Sequence, residues 1–87
     1  MSYADIYELL GGVEDFELRV NNRTVVVRRV APEQWLVYLD EDLIGSFVQR
    51  NQDRATFFES EIASEPGTVN WVSDDVTGLI SRMITLA

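Results

Sequence analysis

Residues 34–62 read QWLVYLDEDLIGSFVQRNQDRATFFESEI, and how this stretch divides decides the fold. Gln34–Leu39 is apolar on both of its faces, as in a strand covered on two sides. Asp40-Glu41-Asp42 interrupts it with three acids, and Leu43–Arg50 resumes as a second strand. Asn51–Arg54 is polar again, and Ala55–Ile62 forms a third. Connections this short join antiparallel neighbours, because a parallel crossover needs a dozen residues or more.

Upstream, Phe16, Leu18 and Val20 alternate with Glu17, Arg19 and Asn21, the period of a half-buried strand. Asn21-Asn22-Arg23 is expected to turn, since asparagine tolerates positive φ. The β-branched run Thr24–Val30 then returns along the first strand. Ala31-Pro32-Glu33 ends it, because proline removes a ladder donor.

Downstream, Ser64-Glu65-Pro66-Gly67 is a turn, and Thr68–Val72 is a candidate short last strand. Ser73 is positioned to cap a helix whose Val76, Leu79, Ile80, Met83 and Ile84 follow helical spacing. Gly78 within it costs about 1 kcal/mol against alanine, which implies close packing there. Residues 2–10 read as another helix, capped by Ser2, with Tyr3, Ile6, Tyr7 and Leu10 on one face and Gly11-Gly12 as the stop.

The expected architecture is a single α+β domain over residues 1–87. An antiparallel β-meander of four to five strands is flanked by an N-terminal and a C-terminal α-helix as a two-layer sandwich. Of the 87 residues 46% are hydrophobic, 25% charged and 10% aromatic, the proportions of a folded globule.

Several chemistries are excluded outright. Without cysteine there is no disulfide, thiolate nucleophile or cysteine-rich zinc site. Histidine, the usual general base near neutral pH, is missing. Lysine is also missing, which removes Schiff-base and P-loop chemistry; genome composition or salt adaptation explains that simply. No cofactor is expected. The absence of cysteine, of a long apolar run and of a leader-like start makes the cytoplasm the expected location.

Net charge is −8, so phosphate backbones and anionic lipid repel the chain. Direct nucleic-acid or membrane binding is therefore not expected, whereas a partner with a basic surface fits.

The local constellations mostly have plain explanations. Counted from Asp40 as a calcium loop, the fifth position is Ile44 and the twelfth Asn51, where ligands are required. No metal is expected. Glu59 with Glu61, and Asp74 with Asp75, are carboxylate pairs without a pocket to tune them. The first suits a solvent-facing edge and the second a helix N-terminus. A chain this small is expected to lack a cleft of ~300 Å³ or more. No catalytic residue is assigned, and an enzyme is not expected. Asn22-Arg23-Thr24 matches a glycosylation sequon that a turn explains. Arg19, Arg23, Arg28 and Arg29 gather in the first hairpin among Glu14, Asp15 and Glu17, as cross-strand pairing would place them.

Function is expected from an apolar sheet face with an acidic rim, because two short helices cover one face and leave the other in water. Trp35 and Tyr38 are the candidate anchors, and Asp40, Glu41 and Asp42 the candidate electrostatic contacts. The expected role is a small non-enzymatic protein-binding module that inhibits or adapts a larger, perhaps nucleic-acid-binding, protein. Size and charge alone are similar to those of phage-encoded DNA-mimic inhibitors, with an anti-restriction or anti-CRISPR factor as the concrete version. The alternative is an assembly subunit whose exposed face pairs with itself in a homodimer or larger oligomer.

Overall fold

A computed structural model of the chain describes residues 15–64 and 71–86. The described part holds six strands in one antiparallel sheet: β1 (Asp15–Val20), β2 (Arg23–Ala31), β3 (Gln34–Leu39), β4 (Asp42–Gln52), β5 (Ala55–Ile62) and β6 (Trp71–Ser73). Helix α1 (Val76–Leu86) follows. The strands lie in sequence order, so the sheet is the expected meander. It has one strand more than the upper expectation of five, and with one described helix the fold is mainly β. The helix read into residues 2–10 lies outside the described residues, as does most of the turn at 64–67.

Four hairpins turn on two residues each, and in three of them both residues have positive φ: Asn21-Asn22 (53° and 62°), Asp40-Glu41 (52° and 71°) and Asp53-Arg54 (51° and 68°). Paired positive φ marks the type I′ turn, whose twist matches that of the flanking strands. Asparagine and aspartate reach this conformation readily; glutamate and arginine do so at a steric cost. The acidic turn therefore comprises Asp40 and Glu41 alone, and Asp42 opens β4, opposite Leu39.

Alternation along the strands puts Leu18, Val20, Val25, Val27, Trp35, Val37, Leu39, Phe47 and Phe58 in the core with Val76, Leu79, Ile80 and Met83 of α1. Trp35 and Phe47 stack at 5.1 Å across β3 and β4, and Phe58 meets both edge-on. Such pairs contribute roughly 0.5–1.5 kcal/mol beyond area burial. Buried Ser60 donates its hydroxyl to the Trp71 carbonyl at 3.1 Å. The Trp35 indole N–H is buried with no acceptor.

The alternation breaks within β4. Val37 faces Gly45 while Tyr38 faces Leu43, so Ile44 is an extra residue, a β-bulge. Ile44 and Gly45 both turn inward as a result, and Leu43 turns out. Gly45 lies directly under α1. A Cβ there would sit 2.6 Å from Met83 Sδ and 2.7 Å from the Glu61 carbonyl oxygen. Both edge strands contact the helix, and the Asn21 amide donates to Ser81 Oγ at 2.6 Å from the first turn.

The cap of α1 differs from expectation. Asp75, not Ser73, is the N-cap: its Oδ1 accepts from the Gly78 N–H at 3.1 Å, and its carbonyl accepts from the Leu79 N–H. Ser73 Oγ instead accepts from the Asp75 N–H at 3.0 Å and braces the approach. Gly78 is tight because of that cap and not because of the sheet, since a Cβ would stand 2.8 Å from Asp75 Oδ2.

Candidate functional site

The register lays out the sheet face opposite α1 row by row. One row runs Glu17, Val26, Tyr38, Leu43 across β1 to β4; the next runs Asp15, Arg28, Leu36, Ser46, Glu61; a third runs Gln34, Val48, Glu59, Val72. Val26, Leu43 and Val72 are 36%, 46% and 57% exposed. Tyr38, Leu36 and Val48 are half-buried beside them. Ionic contacts stand among these apolar rows. Arg28 pairs with Asp15 at 3.6 Å and lies over the Tyr38 ring at 5.6 Å, and Arg50 pairs with Glu59 at 3.4 Å.

Tyr38 thus lies where an anchor was expected. Trp35 does not: it is 1% exposed and stacked in the core. The two residues are an odd number of positions apart on one strand, so they point to opposite faces. Trp35 as an exposed partner contact is therefore corrected. Val26 and Leu36 belong to strands expected to carry apolar side chains on both faces, whereas Leu43 and Val72 were not anticipated on this face. Val26 shares the facing of Tyr38 through its register, and Leu43 owes its position to the bulge.

The acidic turn is exposed as expected. Asp40 is held by Arg23, at 2.9 Å. Beside it opens a groove of about 430 Å³, between the last turn of α1 and the β3–β4 hairpin. Leu39, Ile44, Ile62, Met83 and Ile84 line it, with Asp40 and Asp42 among its polar residues. The expectation that no cleft would reach ~300 Å³ is corrected. Its lining combines the bulged Ile44 with the end of α1. A smaller dent of about 130 Å³, lined by Leu36, Leu43, Ser46 and Glu61, shares Leu43, Ile62 and Ala63 with it. Groove and open face are therefore one continuous surface.

The other constellations find ordinary places. Glu59 and Glu61 share a face, as expected, but β5 is an interior strand between β4 and β6, not an edge. Among the described residues no group of three acidic side chains is gathered to hold a metal ion. Arg23 and Arg28 engage carboxylates, while Arg19 and Arg29 donate to the carbonyls of Asn22 and Pro32. Only Arg28 with Asp15 is the cross-strand pairing expected of the first hairpin; Arg23 reaches the next turn instead, and Arg19 and Arg29 bond carbonyls three residues away. No described helix is long and apolar enough to cross a membrane. No family model, curated protein or solved structure matches the chain.

Proposed function

We propose that this protein is a non-enzymatic binding module whose sheet face opposite α1 receives another protein. The observation that carries the reading is the exposure of Val26, Leu43 and Val72 on that face, with Tyr38 between the first two. Apolar side chains gathered on one face and edged by charge are a usual mark of an interface. The proposal includes residues 2–10 as a second helix beside α1, on the core side, as the second layer of a sandwich. It also places the protein in the cytoplasm.

A partner with a basic surface is favoured over a second copy. Two copies carry a net charge of −8 each, which opposes their association. Like charges across an interface cost several kcal/mol. Inhibition of a nucleic-acid-binding protein is one role such a surface can perform. Homo-oligomeric assembly is the rival reading.

Light scattering over a dilution series, at low and high salt, comes first. A monomer throughout keeps the face available for a foreign partner, whereas a salt-resistant dimer replaces the proposal with self-assembly. Capture from lysate is then compared between the native chain and Val26→Asp/Leu43→Asp, with Asp53→Asn as a distant control. A partner retained by the control and lost by the double variant supports the reading. Equal capture by all three refutes it.

A further inference from the structure

We infer that the groove at the C-terminal end of α1 accepts a lysine side chain flanked by aliphatic residues, presented by a segment of the protein partner. The inference rests on the proposed function and specifies what that partner must carry. The groove has two chemical halves. Leu43, Ile62, Ile84 and Leu86 form its accessible aliphatic wall over the buried Leu39, Ile44 and Met83, and Asp40 and Asp42 lie at the hairpin.

Its charge balance is incomplete. Arg23 also lines the groove, but it is bound to Asp40 at 2.9 Å. Asp42 has no ion pair among the described residues. The last turn of α1 contributes Met83, Ile84 and Leu86 to the lining and contains no basic residue. The carbonyls of a helix's last turn have no partners within the helix, and together they act as about half a negative charge. An exposed carboxylate and a helix C-terminus thus share one groove, and among the described residues its one lining cation, Arg23, is engaged by Asp40.

A ligand that completes this site brings one positive charge on an aliphatic stem. Lysine fits, because its four-carbon stem lies along apolar surface while its ammonium reaches polar groups. At about 430 Å³ the groove holds more than one side chain, so aliphatic neighbours of the lysine occupy the rest. An acidic segment would meet repulsion from the same groups. A neutral one would leave them unpaired.

The test is an NMR titration of the isotopically labelled full chain with acetyl-Leu-Lys-Leu-amide. The glutamate and norleucine analogues of the same tripeptide serve as comparisons. Saturable shifts are expected at Ile62, Ala63, Met83 and Ile84 with the lysine peptide, and binding of the glutamate peptide should be about tenfold weaker. Asp42→Asn should weaken the lysine peptide about twofold to fivefold, the range of an exposed ion pair. It should leave the norleucine peptide unchanged. Equal affinity for all three peptides, shifts confined to other residues, or no shifts at all would each overturn the lysine site. Because no partner is used, such a failure leaves the open-face reading to its own capture experiment. Loss of that reading would in turn show as equal capture by the Val26→Asp/Leu43→Asp chain.

Discussion

Replacing Gly45 by alanine puts a methyl group where α1 and the sheet already touch. The new carbon would lie 2.6 Å from Met83 Sδ and 2.7 Å from the Glu61 carbonyl oxygen. The two neighbours yield differently. A methionine side chain rotates aside at modest cost. The carbonyl belongs to β5, and its strand is tied on both sides, to β4 and to β6. Relief therefore requires moving one strand against the next. Overpacking of this kind costs about 1–3 kcal/mol. Removing a glycine from a strand returns about 0.5–1 kcal/mol of backbone entropy. The net expectation is a loss of about 1–2 kcal/mol, which lowers Tm by roughly 5–15 °C in a domain of this size. Thermal unfolding followed by far-UV circular dichroism measures the shift, and urea titration checks that the m-value is unchanged. A Tm equal to or above that of the native chain would refute the close approach, and with it the seating of α1 over the bulge.

Two further perturbations bear on local backbone. Glu41→Gly and Arg54→Gly remove side chains from positive-φ positions. Each should stabilise the chain by about 0.5–1 kcal/mol, the αL penalty less the added freedom of the unfolded glycine; urea midpoints read the gain. Asp75→Ala should cost about 1 kcal/mol as the loss of an N-cap, and Ser73→Ala should cost less. In the Asp75→Ala background Gly78→Ala should turn favourable, since the carboxylate that crowds its Cβ is gone; a thermal double-mutant cycle measures the reversal.

Strand identity was legible because the local signals agreed. Gln34–Leu39 and Ala55–Ile62 were bounded correctly by the acids and amides on either side of them. The hairpin at 53–54 was read two residues too long, because β4 continues through Asn51 and Gln52, and Asn51 Oδ1 accepts from the Thr56 hydroxyl. Facing was harder. The separation of Trp35 from Tyr38 already placed them on opposite sides of β3, and pattern reading that counted aromatics without counting parity missed it. The bulge at Ile44 had no such warning, because Leu43, Ile44 and Gly45 are compatible with either facing until Val37 and Tyr38 fix the register. The lining of the groove combines that bulge with the end of α1, two features 40 residues apart, so no local pattern contained it.

The sequential strand order also bears on how the chain finds its fold. Every ladder of the sheet joins neighbours in sequence, and the four connections from β1 to β5 are two-residue turns that close on the microsecond scale of a hairpin. Such pairings need little loop closure, so the relative contact order of the sheet is low for an all-antiparallel structure. The helix is the exception. Its tie from Ser81 to Asn21 spans 60 residues, and its apolar stripe has nothing to cover until the strands have presented Phe47 and Phe58. Docking of α1 is therefore the step that carries the entropic cost of long-range closure, and the packing at Gly45 and Met83 is where that step is registered.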